Sequence, residues 1–153
     1  MIWQMKQERF KLIPSVYLIL EQDGRFLLSR RFNTGYQDGN YGLVAGHADG
    51  EETFSNALAR EIKEEIGIGL DLERVKFVLA MHRWCGDEER ADFFFATSEW
   101  DGEIRNLEPE KCDDLQWFHL EEFPENTIPY IRQAIECYRQ GVPYCEFGWE
   151  LNE

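Results

Sequence analysis

Residues 46–68, GHADGEETFSNALAREIKEEIGI, combine two patterns that few arrangements satisfy together. At 3.6 residues per turn, Phe54, Leu58, Ile62 and Ile66 fall on one stripe of a helix, so another layer of the protein must cover that face. Thr53 is a residue type that caps a helix start, and Gly67 suits the left-handed stop after about Ile66. Glu61 and Glu65 stand four apart and Glu61 and Glu64 three apart, so three carboxylates share an adjoining face with Ala57. Like charges at these spacings repel and cost helix stability. A divalent cation held by carboxylate oxygens would compensate. Mg²⁺ or Mn²⁺ suits such hard donors, and the helix holds neither His nor Cys for a softer metal.

The rest of the chain reads as strands with one further helix. Residues 15–32, SVYLILEQDGRFLLSRRF, predict two strands joined at Asp23-Gly24, a tight-turn pair between apolar runs. After a polar loop over residues 33–40, YGLVAGH predicts one short strand ending in a turn. RVKFVLAMHRW, ADFFFATSEW and LQWFHL are β-rich and aromatic, with a turn at Asp101-Gly102. A second helix opens near Thr127, with Pro129 in its first turn, an apolar stripe of Ile131, Ile135 and Tyr138, and Gly141 as its stop. Many strands with two well-separated helices imply mixed α/β layers rather than regular βαβ alternation. No repeat, low-complexity tract or linker divides the 153 residues, so one domain over 1–153 is expected.

Charge narrows the function classes. Thirty acids against 16 bases leave a net charge of -14, which argues against sequence-independent binding to polymeric nucleic acid or to a membrane surface. A small anionic substrate remains compatible if a cation stands between acids and phosphates. The N-terminal residues 1–15 lack the apolar core of a secretory leader, and no apolar run reaches the roughly 20 residues that span a bilayer. Cys85, Cys112, Cys137 and Cys145 are widely spaced with no CxxC pair, as in a reduced cytoplasmic protein.

Residues 60–65 alone would pass for a solvated acidic face. The longer pattern does not: Gly46, five residues, Glu52, seven residues, Arg60-Glu61-Ile62, one residue, Glu64-Glu65, one residue, Gly67-Ile68. At this composition, such matches in register arise by chance on the order of once in a million chains. The pattern resembles the Nudix box at every defining position, and the flanking strands and C-terminal helix follow in the order that family shows. One departure lies just before the box, where many members carry Pro-Gly-Gly and this chain has Val44-Ala45-Gly46.

The resemblance implies an α/β/α sandwich with a mixed sheet and Mg²⁺- or Mn²⁺-dependent attack of water on a diphosphate linkage. By motif position, Glu61, Glu64 and Glu65 look like metal ligands, with the Gly46 carbonyl as a further one. Glu61, rather than Glu64, is favoured as the proton acceptor, although family members differ here. Arg60 and Glu52 resemble an orienting ion pair between helix and loop. A later acidic ligand would come from NLEPEK, where Glu108 and Glu110 are both candidates. Arg31 resembles a phosphate-contacting cation, or is an edge-strand gatekeeper. His47 is either phosphate-facing or incidental, and Asn126 either reads a base edge or caps the second helix. Trp84, Phe93, Phe94, Phe95, Trp117 and Phe118 either stack on substrate or fill the core, with core favoured by their alternation.

The expected substrate is a nucleotide, and (deoxy)nucleoside triphosphates cleaved to monophosphate and pyrophosphate are the first reading. Nucleotide sugars or coenzymes are the second. A catalytically silent nucleotide sensor is the alternative of another class, and a homodimer is a compatible assembly.

Overall fold

The computed structural model describes residues 8–152. The expected absence of a leader, and the reach of one domain to both termini, fall partly on residues 1–7 and 153, which lie outside the described residues.

The first strand, β1 (Ile13–Gln22), is buried continuously from Ser15 to Leu20. A strand hidden on both faces loses the polar alternation of a half-exposed one, which is why this stretch reads as an unbroken apolar run. Val16, Leu18 and Leu20 face one core, and Tyr17 and Ile19 face another. Asp23 (φ 53°) and Gly24 (φ 72°) make the expected turn into β2 (Arg25–Arg31). Only Glu21 with Phe26 and Gln22 with Arg25 pair before the strands diverge, so the hairpin works as a corner between two limbs of sheet.

The expectation of one strand in YGLVAGH is corrected. β3 (Tyr41–Gly42) pairs antiparallel with β2, and β4 (Val44–His47) pairs antiparallel with β1. The break at Leu43 carries the chain from one limb to the other, a non-local demand that alternation cannot reveal. β5 (Lys76–Trp84) and β6 (Glu89–Thr97) form an antiparallel pair, and β6 lies parallel to β1. β7 (Cys112–His119) closes the second limb against β2. β8 (Tyr144–Phe147), not anticipated from sequence, runs parallel to β5. Its four half-exposed residues offer too short a period to stand out after a helix.

The helices cover opposite faces of this mixed sheet. α1 (Phe54–Ile66) starts with the Thr53 side chain accepting from the Asn56 amide at 3.1 Å and stops at left-handed Gly67. Ala57, Leu58, Ile62 and Ile66 are its buried positions. Phe54, expected in that stripe, is instead 37% exposed and lies against Phe93, with centroids 4.6 Å apart. It is the first helical residue, and its side chain lies over Phe93 on β6, a strand inside the sheet, while staying partly open to solvent. α2 (Pro129–Gln140) packs Tyr130, Ile131, Ala134 and Ile135 onto the other face. Asn126 and Thr127 do not cap it: Ile128 stands at the cap, Asn126 donates to the Gly39 carbonyl and Thr127 to that of Pro124. The result is an α/β/α sandwich. The aromatics Phe93, Phe94, Phe95, Trp117 and Phe118 belong to its two cores, and Trp84 lies by Trp149.

Candidate active site

Where β4 leaves the sheet edge, a cleft of about 620 Å³ opens beside β1, α1, α2 and the loops before β3 and β7. Gly46, Glu61, Glu64, Glu65 and Glu108 line it together with Arg31 and His47. Glu110, Glu52, Arg60 and Asn126 do not.

Gly46 shows why the strand and helix are chemically coupled. A Cβ at this position would lie 2.2 Å from the Glu61 Cγ and 2.4 Å from its Cδ. Only a bare backbone lets the Glu61 carboxylate pass over β4 into the cleft. Arg60 then holds the carboxylate's other oxygen, with its Nη1 2.8 Å from Glu61 Oε1. The same guanidinium reaches Glu52 Oε1 at 2.8 Å, Asp49 Oδ2 at 3.1 Å and, at 3.9 Å, Glu64 Oε2. Glu52 also accepts from the Asp49 amide at 3.0 Å. Arg60 thereby ties helix, loop and acidic face into one unit. Its hydrogen bond lowers the pKa of Glu52, while burial raises that of Glu61 against the opposing pull of Arg60.

Glu65 is the most perturbed acid in the cleft. Burial, followed by the nearby charges of Glu108 and Glu61, pushes its pKa up to about 8, with partial offset from the Ala45 amide and Arg31. Glu108 is delivered by backbone pairing: the Arg105 and Leu107 amides donate to the Ile66 and Glu65 carbonyls, each at 3.0 Å. This clamps the loop to the end of α1, where a Cβ on Gly67 would approach Leu107 to 3.1 Å. Glu110, two residues on, is exposed and does not line the cleft. Spacing alone left both acids open, and the clamp separates them.

Among the described residues no three His, Cys, Asp or Glu side chains converge as a ready-made ion cage. The donor chemistry nevertheless fits a divalent ion. Carboxylates from two elements share the cleft, one of them is driven toward protonation by its neighbours, and Gly46 leaves space beside Glu61. A cation would relieve that crowding.

Three cations line the cleft together with the acids. Arg31 is oriented by the loop before β3, with its Nε 2.6 Å from the Tyr36 carbonyl and its Nη2 3.1 Å from Thr34 Oγ1. Arg90 and Lys111, which sequence reasoning missed, also line the cleft. His47 is exposed, and its Nε2 lies 3.3 Å from Arg90 Nη1, a contact in which a neutral ring accepts. Asp49, Ser15, Tyr17, Tyr36 and Tyr130 were missed as well, since they reach the site from separate elements and carry no shared local pattern.

No helix among the described residues is long and apolar enough to cross a membrane. Comparison with known proteins follows the same lines as the geometry. Residues 11–137 match the family model described as the NUDIX domain. The chain is 26% identical over 154 aligned residues to the phosphatase NudJ of Escherichia coli K12, covering 94% of this chain and 97% of NudJ. It is 28% identical over 128 residues to the NAD-capped RNA hydrolase NudC of Stutzerimonas stutzeri, covering 84% of this chain but only 43% of NudC. The crystal structure of a MutT NUDIX hydrolase from Burkholderia pseudomallei superposes with a TM-score of 0.76 at 28% identity, covering 83% and 98% of the two chains.

Proposed function

Because this chain belongs to the Nudix family of phosphoanhydride hydrolases, we propose that its cleft cleaves (deoxy)nucleoside triphosphates to a monophosphate and pyrophosphate, with Mg²⁺ as the working ion and Mn²⁺ as a substitute. The observation that carries this reading is that two sets of charge line one cleft: Glu61, Glu64, Glu65 and Glu108, and with them Arg31, Arg90 and Lys111.

Glu61, Glu64, Glu65 and Glu108, with the Gly46 carbonyl, would hold the divalent ion. Bound there, it would neutralise phosphate oxygens, lower the pKa of a water and stabilise the leaving oxygen. The residues do the rest. Arg31 and Lys111 draw the polyphosphate into line, and Arg60 with Glu52 fixes the catalytic helix against the loop carrying Asp49. Glu61 offers Oε2 as proton acceptor because Arg60 already occupies Oε1. Water adds across one P–O–P bond, its oxygen to phosphorus and its protons to Glu61 and the leaving phosphate. Glu64 is the alternative acceptor.

The test is a panel of nucleoside triphosphates, nucleotide sugars and dinucleotide coenzymes, assayed with Mg²⁺ or Mn²⁺ for phosphate and pyrophosphate. Pyrophosphate release from triphosphates, abolished in a folded Glu65→Ala variant, supports the assignment. Faster cleavage of nucleotide sugars or coenzymes would move the substrate to that class. Nucleotide binding with no turnover anywhere in the panel would make the protein a sensor. Near-normal turnover of Glu65→Ala in saturating Mg²⁺ would remove Glu65 from the ligand set.

A further inference from the structure

Besides the acids and the cations, the cleft lining holds a group of uncharged hydroxyls. Ser15 and Tyr17 lie two apart on β1, so both point to the face that α2 covers. Asp92 on β6 stands in register with Ser15, and Arg83 comes from β5. The Arg83 Nε lies 2.5 Å from Asp92 Oδ2, and its Nη2 lies 3.3 Å from Asp92 Oδ1. Both side chains are almost wholly buried. A buried charge pair of this kind contributes little net stability compared with apolar packing, so its presence asks for another reason.

The remaining valences of Arg83 supply one. Its Nη2 reaches the Tyr17 hydroxyl at 3.4 Å, its Nη1 reaches the Tyr36 hydroxyl at 3.4 Å, and its guanidinium sits 3.8 Å from the Tyr130 ring centroid. Tyr17 and Tyr130 share a hydroxyl contact at 3.4 Å. Arg83 is thus the hub that orients three phenols lining the cleft. Burial pushes the Tyr130 pKa up to about 12 and raises that of Tyr17 well above its usual value, so these hydroxyls keep their protons. Beside them Ser15 is 3% exposed, and its buried hydroxyl has no hydrogen-bond partner among the described residues. An unmade hydrogen bond in a buried site is costly unless a ligand completes it.

We propose that Ser15, Tyr17, Tyr36 and Tyr130, positioned by the Arg83–Asp92 pair, form a selectivity patch for the uncharged hydrogen-bonding part of the substrate. Asp92 cancels the charge of Arg83, so Arg83 itself offers no free charge to a phosphate. Phosphates are left to Arg31, Arg90 and Lys111. The inference rests on the nucleotide reading of the cleft but makes a separate claim, namely that affinity for the nucleoside and for the polyphosphate are set by different residues.

The experiment measures binding, so it does not depend on turnover. Affinities of the intact protein for α,β-methylene adenosine and guanosine triphosphates are compared with that for inorganic tripolyphosphate, all with Mg²⁺. Ser15→Ala and Tyr130→Phe each remove one hydroxyl and should weaken at least one of the nucleotides about 3- to 10-fold, the worth of one hydrogen bond. Tripolyphosphate affinity should stay unchanged. Ser15→Ala should not lower the melting temperature, because it deletes an unsatisfied group. Arg83→Lys should weaken nucleotide binding in the same selective way. If it fails to fold, the two hydroxyl variants decide. Equal losses for nucleotide and tripolyphosphate, no loss for either, or no nucleotide binding by the wild type would overturn the proposal. Selective binding without hydrolysis would sink the catalytic reading and leave this one standing.

Discussion

Glu65 offers the sharpest test of whether the acidic face exists to hold a cation. Its carboxyl is raised from an ordinary 4.5 to about 8 by burial, then by the charges of Glu108 and Glu61. At pH 7 the metal-free protein therefore carries most of a proton on this group, where an unperturbed carboxylate carries almost none. A divalent ion needs the carboxylate, so binding must expel that proton. Calorimetric titration with Mn²⁺ or Mg²⁺ in buffers of different ionisation enthalpy should show release of most of a proton from Glu65 at pH 7, declining as pH rises past about 8. Glu61, also raised, adds a smaller share. Glu65→Gln should abolish most of the release and weaken metal binding.

Stability gives the matching signature. Because the folded-state value lies above the unfolded one, the fold binds the extra proton between about pH 4.5 and 8. The contribution of Glu65 is therefore fully present below about 4.5 and is lost as pH rises to about 8. The stability advantage of Glu65→Gln over the metal-free wild type should grow across that window and level off above it. Saturating metal should erase the advantage. Proton release near zero at pH 7, or equal release in Glu65→Gln, would refute the account.

Three further outcomes follow from the same geometry. Gly46→Ala must displace Glu61, since the added methyl would sit 2.2 Å from its Cγ; a shift of order 1 Å in a catalytic group predicts about a 100-fold loss of kcat with circular dichroism unchanged. Arg60→Lys keeps a charge but loses the fork that joins Glu52 to Glu61, so metal affinity and activity should fall about 10- to 100-fold, read by metal titration and turnover. Asp92→Asn strands the buried Arg83 and should cost about 3–5 kcal/mol in denaturant unfolding, whereas Arg83→Met with Asp92→Leu should cost far less.

The acidic helix was legible before any fold was known, because cap, stripe, stop and carboxylate spacing are all local. Thr53, Leu58, Ile62, Ile66 and Gly67 sit as a 3.6-residue period requires. The same reasoning failed at Phe54, which opens the helix and stays partly exposed beside Phe93, and at Leu43, where the chain changes limb. It also missed β8, whose pairing with β5 depends on α2 first returning the chain to the sheet.

Sequence by itself determined the three carboxylates of α1 and the cap and stop that frame them, since each answers to its neighbours along one segment. Tertiary structure alone decided what faces them. Glu108 rather than Glu110 reaches the cleft because Leu107 is hydrogen-bonded to the end of α1. Arg90, Lys111, Ser15 and the Arg83–Asp92 pair come together from β1, β5, β6 and a loop. Hydrogen bonds and ion pairs act over a few ångströms of space, and the chain positions they join here lie on separate strands and loops, where no local period can register them.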